Sequence, residues 1–578
     1  MKSKKVCQLS WVLLLVAAFA SAREAVEAPI FDMEAPFHPV VSRGGMVVSQ
    51  ERLASEVGSR ILSEGGNAID AAVATGFALA VTFPQAGNIG GGGFMLIHLA
   101  RERRTVAVDY RELAPQAAHR DVFLDESGQV VTARSQFHLQ AAGVPGTVAG
   151  LCHVLRSYGT MTLAQVLAPA IELARKGIVV TDTLVQALAW RAEQLRSDPA
   201  SAGYFYHADG GALQVGEVWR QRDLAWSLKQ IARHGEQAFY QGAVARKLVD
   251  AMVQGGGLIT LDDLAGYRVV EREPVRGTYR GYDVVSMPPP SSGGVHLIQM
   301  LNMLETWDLA ALEHNSAAYI HRVAAAMQRA YADRSRFLGD PDFVDVPVAR
   351  LTDKRYAAAL ARSVDLNRST PSAAIAPGIL LPEESPQTTH FSVWDRHGNV
   401  VSNTYTLNFS FGSGISVPGA GFLLNNEMDD FSAKPGVPNA YGLLGAEANS
   451  VAPRKRPLSS MTPTIVLRGG QPLLATGSPG GSTIINVVLQ EILNVIDFKM
   501  NVAEATAAPR FHHQWLPDSL ILEPGISPDT RALLRQMGYQ VAPMPRLLGK
   551  LQSIEARGGI LFGSSDNRWP DSGVAVSQ

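Results

Sequence analysis

The sequence predicts an α/β fold, and three observations carry that expectation. First, 53 glycines and 33 prolines among 578 residues supply many tight turns without forming a low-complexity tract. Second, apolar residues recur at helical spacing in the early and middle parts of the chain. Third, beyond residue 387 the pattern changes to β-rich runs broken by glycine turns. A content of 46% hydrophobic and 18% charged residues suits a globular chain with a large core. The formal charge of −2 offers no basic surface for nucleic acid and no attraction to an anionic membrane.

The start of the chain stands apart. Lys2, Lys4 and Lys5 precede an apolar stretch from Trp11 to Phe19, and Ala20-Ser21-Ala22 is a small-residue cleavage site. Residues 1–22 therefore read as a secretory signal peptide, too short for a comfortable membrane span. An exported chain, periplasmic or secreted, is expected, with no stable membrane span after signal removal. The alternative is a retained N-terminal anchor. Cys7 leaves with the signal, so Cys152 stands alone and no internal disulfide is expected. Its apolar run, Gly150 to Leu155, argues for a buried structural thiol, since nothing nearby supplies a base to a nucleophile.

Residues 23–45 read as a loosely ordered lead-in. Leu53, Val57, Ile61 and Leu62 then recur at helical spacing up to Gly65-Gly66, and Asn67 to Thr82 is alanine-rich and aliphatic, a buried helix. Gly90 to Gly93 form a packing turn ahead of two strand candidates, Phe94–Leu99 and Thr105–Asp109. The middle, 145–375, reads as mainly helical with loops such as Met287 to Gly294. Between 370 and 387 prolines punctuate an irregular stretch that reads as an exposed, mobile linker. Strands, glycine-rich turns and a helix near 482–496 follow.

The segment after the linker is the most informative. Thr388 to Asp395 and Val400 to Asn408 are β-rich runs around Arg396-His397-Gly398-Asn399, a hairpin signature in which Gly398 takes positive φ. That turn places Thr388 across from Thr406 and Ser392 across from Ser402. Alternation puts Thr388, His390 and Ser392 on one face with Thr406, Thr404 and Ser402, and Phe391, Val393, Val401, Tyr405 and Leu407 on the other, against a core. A hydroxyl-rich strand can reflect threonine's β preference alone. Position supports a chemical reading. A threonine hydroxyl needs a base, and the α-amine of a chain that begins at that threonine can serve, since it titrates near about pH 8. Thr388, at the start of a strand and behind a linker, fits self-cleavage between Gln387 and Thr388, with Thr406 orienting its hydroxyl.

These residues also resemble a known family. Thr388-Thr389-His390-x-Ser392, Gly398-Asn399, Thr404 to Asn408 and Phe411-Gly412 are similar to the signature of the gamma-glutamyltransferase (gamma-glutamyltranspeptidase) family. Pro288 to Gly294, Leu424 to Phe431, Arg456 to Met461, Gly477 to Ser482 and Asp109 to Glu112 add to the resemblance, which spans roughly residues 38–570. It implies an N-terminal-nucleophile hydrolase with a four-layer αββα sandwich. The implied organisation is a signal at 1–22, a large subunit at 23–387 and a small catalytic subunit at 388–578, the two forming one interwoven heterodimer.

The resemblance further implies glutathione and related γ-glutamyl compounds as donors. The acyl group on Thr388 would pass to water or to an amino acid or peptide. Arg111 can grip a carboxylate through two parallel hydrogen bonds, and is implied to hold the substrate carboxylate with Ser459 and Ser460. Glu427, Asp430 and Asn408 are implied to hold the α-ammonium; the family accommodates glutamine at the Glu427 position. Gly480-Gly481, leading into a helix, offers backbone N–H groups for an oxyanion. The loop containing Tyr441 is implied to be a lid, which acylases of the same fold lack. No metal or cofactor is expected: the glycine loops lack phosphate-site lysines, and His512-His513 lacks ligand spacing. Taken alone, the paired carboxylates leave metal binding or glycoside hydrolysis open. A cephalosporin or glutaryl acylase, and a non-catalytic binder of glutamate-like solutes, stay open as alternatives.

Overall fold

The hairpin forms in the register its sequence dictates. Thr389–Trp394 pairs antiparallel with Val400–Thr406, His390 opposite Thr404 and Ser392 opposite Ser402. Gly398 takes φ 84° in the turn, a conformation that a Cβ would strain. The Asp395 carboxylate accepts from the backbone N–H groups of His397 and Asn399 and closes the loop. This computed structural model describes residues 37–375, 388–437, 439–440, 443, 445–543, 545–569 and 573–578. The expected signal peptide, the later part of the expected linker, Gln387 and Tyr441 lie outside the described residues.

The hairpin occupies the middle of a seven-stranded sheet. Its spatial order is Ala575–Ser577, Met46–Ser49, Thr389–Trp394, Val400–Thr406, Gly92–Leu99, Arg104–Tyr110 and Val270–Arg272. A second seven-stranded sheet runs Val40–Ser42, Ile560–Ser565, Gln552–Arg557, Gln471–Thr476, Thr464–Arg468, Tyr282–Ser286 and Val275–Tyr279. All these neighbours pair antiparallel. Each sheet draws strands from both sides of residue 387.

Side-chain alternation explains the layers. Val47, Ile97, Val108, Phe391, Val393, Val401 and Tyr405 share a core with the helices Arg52–Ser63, Ala68–Thr82 and Thr147–Tyr158. Met46, Val48, Phe94, Leu96 and Val400 join the core of the second sheet, which the helices Gly293–Leu304, Ala317–Phe337 and Ile484–Ile496 cover. The result is an αββα sandwich. The helix at 68–82 is buried on all sides, so small side chains dominate it; Asn67 and Asp70 form its capping box. Cys152 is buried, and desolvation pushes its thiol up to about 12, which removes it from nucleophilic chemistry. Among the described residues no helix is long and apolar enough to cross a membrane.

Two expectations need correction. Val40–Ser42, read as part of a loose lead-in, is an edge strand pairing with Ile560–Ser565. The stretch 275–286, inside the segment read as mainly helical, is a hairpin turning at Arg280-Gly281, both with positive φ. Its strands have five residues each, too few to show a period against long amphipathic neighbours.

The hydroxyl-rich face of the central hairpin lies between the two sheets. Ser392 donates to the Gln552 carbonyl at 2.9 Å and Ser402 to the Thr476 carbonyl at 3.0 Å. His390 contacts Thr404 Oγ1 at 2.8 Å and Ser392 Oγ at 3.2 Å, and burial lowers its imidazole to about 3, so it stays neutral. Gly477 is required opposite it, since a Cβ there would come within 2.3 Å of the ring. Hydrogen-bonded hydroxyls thus stitch the sheets together, and the Thr388–Thr406 end of this face lines a cavity.

Candidate functional site

Thr388 immediately precedes its strand, nearly buried, and its hydroxyl donates to Thr406 Oγ1 at 3.5 Å. Thr406 Oγ1 also accepts the Asn408 N–H at 2.8 Å. Asn408 takes φ 74° and donates its amide to the Asn426 carbonyl at 2.9 Å, so the chain turns sharply beside the threonine pair. Gly90 and Gly91, just ahead of the Gly92–Leu99 strand, support this end of the strand. Asn88 donates to the Thr406 carbonyl at 2.9 Å, and Gly91 passes so close that a Cβ would lie 1.9 Å from that oxygen.

Gly480 and Gly481 have φ of 139° and 55° and lead through a short 3-10 turn into the helix Ile484–Ile496. The Thr483 hydroxyl donates to the Gly480 carbonyl at 2.7 Å, which fixes the turn. Thr388, Thr406, Asn408, Arg111, Glu427, Asp430, Ser459, Ser460 and Gly481 line one cavity. Gly480 lines a second cavity that also touches Thr388. The glycine pair therefore straddles the nucleophile candidate rather than facing one pocket.

The charged residues meet more directly than their separate expected roles suggested. Arg111 bonds Glu427 through Nη1 and Asp430 through Nη2, the latter at 2.5 Å, while Glu112 lies 3.6 Å away. Its backbone is held by Asp109 at the N–H (3.0 Å) and by the Tyr267 hydroxyl at the carbonyl (2.8 Å). Burial opposes the guanidinium charge, but the three carboxylates outweigh it and raise the Arg111 pKa. One cation faces three buried acids, so the acids are strained towards protonation. Burial lifts the Glu427 carboxyl well above the usual range; Arg111 relieves this in part, while the neighbouring Glu112 and Asp430 carboxylates lift it further. Burial raises Asp430 as well.

Glu112 is pushed by burial to about 7 from the usual 4.5, and neither carboxyl oxygen has a hydrogen-bond partner among the described residues. The folded state therefore holds a proton that the unfolded chain releases, and the stability it contributes is lost as pH rises from 4.5 through about 7. Glu112→Gln is expected to raise unfolding free energy by about 1–3 kcal/mol at pH 8 and to change it little at pH 4. Urea titrations at both pH values check this; an equal effect at both removes the buried-carboxyl explanation.

Sequence reasoning missed Arg334. It lines the first cavity from the last turn of the helix Ala317–Phe337, where Asp333 and Ser335 are half-buried and Arg336 is exposed, so the sequence reads it as one more charge on a solvated helix end. Its guanidinium donates to Ser292 Oγ at 2.9 Å and Ser460 Oγ at 3.1 Å. Ser292 in turn donates its N–H and hydroxyl to the Ser459 carbonyl, both at 2.8 Å, and Ser291 donates to the Met461 carbonyl at 2.6 Å. The Pro288–Gly294 motif thus positions the Ser459-Ser460 backbone. In the segment expected to be a lid, the Ala440 N–H donates to Asp429 at 3.0 Å and Leu443 lines the cavity.

Residues 54–576 match the family model for gamma-glutamyltranspeptidase. The chain belongs to the gamma-glutamyltranspeptidase family. It is 51% identical over 562 residues to the glutathione hydrolase proenzyme of Escherichia coli (strain K12), covering 96% of this chain and 97% of that relative. A gamma-glutamyltranspeptidase chain from Helicobacter pylori superposes with TM-score 0.57 at 46% identity, over 62% of this chain and 99% of its own. A cephalosporin acylase from Bacillus halodurans superposes with TM-score 0.82 at 27% identity, over 96% of this chain and 99% of its own. In this gamma-glutamyltranspeptidase-family chain, the expected nucleophile, oxyanion glycines and charged residues converge around Thr388.

Proposed function

We propose that this chain is a γ-glutamyltransferase and glutathione hydrolase that matures by cutting itself between Gln387 and Thr388. The observation that carries the reading is Thr388 itself. It immediately precedes a strand, its hydroxyl is paired with Thr406, and it shares one cavity with Gly481, Arg111, Glu427 and Asp430 and a second with Gly480. In maturation the Thr388 hydroxyl adds to the Gln387 carbonyl, the peptide C–N bond breaks, and water hydrolyses the resulting ester. The products are a large subunit, 23–387 after signal removal, and a small one, 388–578, held together as a heterodimer. Mixed strand parentage of both sheets supports this association, and the H. pylori chain spans nearly the share of sequence that 23–387 represents. The proenzyme name of the E. coli relative accords with a cut precursor. Export rests on the N-terminal 22 residues.

In the mature enzyme the Thr388 α-amine takes the hydroxyl proton as Oγ1 attacks the γ-amide carbonyl of glutathione. Gly480 and Gly481 N–H groups stabilise the oxyanion, and the protonated amine returns its proton to the leaving nitrogen. The substrate's α-carboxylate and α-ammonium divide the ion cluster: the carboxylate takes Arg111 with Ser459 and Ser460, and the ammonium takes Glu427 and Asp430 with Asn408 alongside. Tyr441 belongs to the loop that the family resemblance implies to be a lid. The added group is neutral overall, so the charge balance of the cavity is preserved while buried ions keep partners.

The acylase likeness gives a second reading, and the ammonium distinguishes the two. A glutaryl amide retains the carboxylate but lacks the α-ammonium, leaving Glu427 and Asp430 without their partner. Cleavage of γ-glutamyl-p-nitroanilide is expected to exceed that of glutaryl-p-nitroanilide by at least about 100-fold in kcat/KM. Comparable rates would replace the transferase reading with the acylase one, and no release from either substrate would leave a binding protein.

A further inference from the structure

Arg334 lines the cavity that holds Thr388, yet the chemistry derived for Thr388 gives it no part. Its hydrogen bonds are directional. A guanidinium only donates, whereas a serine hydroxyl has one hydrogen and two lone pairs. Each serine that accepts from Arg334 must therefore turn its own hydrogen elsewhere. Ser292 accepts from Nε at 2.9 Å and gives its hydrogen to the Ser459 carbonyl at 2.8 Å. Ser460 accepts from Nη2 at 3.1 Å, and its hydrogen meets no acceptor among the described residues. Ser460 also lines the cavity, so its O–H is held ready for a group that enters there.

The backbone behind Ser460 has little freedom to rearrange. Ser291 and Ser459 form a parallel bridge, and the Ser459 N–H donates to the Pro290 carbonyl at 2.9 Å. A Cβ on Gly293 would come within 2.4 Å of Thr462 Oγ1 and 2.7 Å of the Met461 carbonyl oxygen, so the approach that carries Ser292 to Arg334 requires glycine. The Thr462 hydroxyl donates to the Ser460 carbonyl at 2.8 Å. Ser459 Oγ accepts the Met461 N–H at 3.1 Å, so this serine too spends a lone pair on the protein and keeps a hydrogen to give. Two adjacent hydroxyls held as donors suit a group that only accepts, and a carboxylate is such a group. The charge of Arg334 is felt in the same cavity: burial raises Asp430, and Arg111 chiefly, then Arg334, draws it back.

We infer that Arg334 is a positioning residue for the substrate's α-carboxylate: by occupying a lone pair of Ser460 Oγ it fixes that hydroxyl as a hydrogen-bond donor, and so strengthens the preference for a carboxylate over a neutral carboxamide. The inference rests on the γ-glutamyl reading, in which Ser459 and Ser460 meet the carboxylate beside Arg111. A hydroxyl with both lone pairs open accepts from a carboxamide N–H as readily as it donates to an oxygen. One bonded to a guanidinium is biased to donate. Arg334 thus acts on the substrate through Ser460, and its second contact, Ser292, holds the neighbouring Ser459 carbonyl in place.

The test compares γ-glutamyl-p-nitroanilide with the same anilide carrying an α-carboxamide in place of its α-carboxylate. Wild-type enzyme is expected to prefer the carboxylate by at least about 100-fold in kcat/KM. Arg334→Met is expected to cut that preference at least about tenfold, through loss on the carboxylate substrate. Arg334→Lys keeps a charge but not the fork that reaches two serines, and is expected to cut it about threefold to fivefold. In Ser460→Ala the hydroxyl through which Arg334 acts is gone, so adding Arg334→Met is expected to lower the preference by less than about threefold more. A further tenfold loss in that background, on the order of the loss in wild type, makes Arg334 a direct ligand. An equal loss on both substrates in Arg334→Met makes it a structural residue. Either result overturns the positioning role. Should Arg334→Met fail to fold, Arg334→Lys carries the same cycle, and its loss is expected to vanish beside Ser460→Ala. A wild type that shows no preference for the carboxylate, or releases no p-nitroaniline, overturns the underlying γ-glutamyl reading instead.

Discussion

Thr388→Ala is expected to leave a single uncut chain and to lower γ-glutamyl anilide hydrolysis by more than about 10⁴-fold. Both losses come from one atom. Without Oγ1 there is no group to add to the Gln387 carbonyl, and none to carry the γ-glutamyl ester. Neighbours offer no substitute: Thr406 faces Thr388 but already accepts from Asn408, and it has no α-amine to take its proton. Thr388→Ser keeps the hydroxyl and is expected to be cut, more slowly. Gel electrophoresis with N-terminal sequencing reads the first effect and anilide release the second. A small subunit beginning elsewhere, or an alanine variant that is still cut, removes Thr388 from the mechanism. The substitution should fold, since it deletes a hydroxyl and a methyl at a strand end, away from the hydrogen-bonded hydroxyls at Ser392 and Ser402 that join the sheets.

The contrast between those hydroxyls shows what could be read from the sequence. Alternation and the Gly398 turn were sufficient to set the hairpin register, because a slip by one residue would have turned Phe391 and Tyr405 away from their core. They could not separate chemical hydroxyls from structural ones. Thr404, Ser402 and Ser392 share a face with Thr388, yet they are buried against a second sheet whose strands lie some 60 to 160 positions along the chain. Arg334 was hidden for a related reason: it lies among Asp333, Ser335 and Arg336, which are half-buried or exposed, so its charge reads as part of a solvated helix end, and its partners Ser292 and Ser460 come from distant loops. The family resemblance implied only that Arg111 holds a substrate carboxylate. Its direct pairing with Glu427 and Asp430, more than 300 positions away, follows only from the packing of the folded chain.

That pairing makes Arg111 a residue of both stability and binding, and the two can be separated. Arg111→Met leaves Glu112, Glu427 and Asp430 buried without their shared cation, and removal of one partner from a buried ion pair costs about 3–5 kcal/mol. The loss is expected to grow with pH, because the acids can escape it only by protonation. Arg111→Lys is expected to recover part of the stability. A single ammonium can sit near one carboxylate, but it cannot also span to the other while donating to the Pro457 carbonyl, as the guanidinium does at 3.3 Å. Adding Glu427→Gln to Arg111→Met removes one orphaned charge and is expected to restore about 1–2 kcal/mol. It cannot restore a ligand for the substrate carboxylate, so γ-glutamyl anilide hydrolysis should stay at least about 100-fold below wild type in kcat/KM. Denaturation curves and steady-state rates on the same preparations decide between the roles. Activity that returned in step with stability would make Arg111 structural alone, whereas stability without activity identifies the guanidinium as the group that receives the carboxylate.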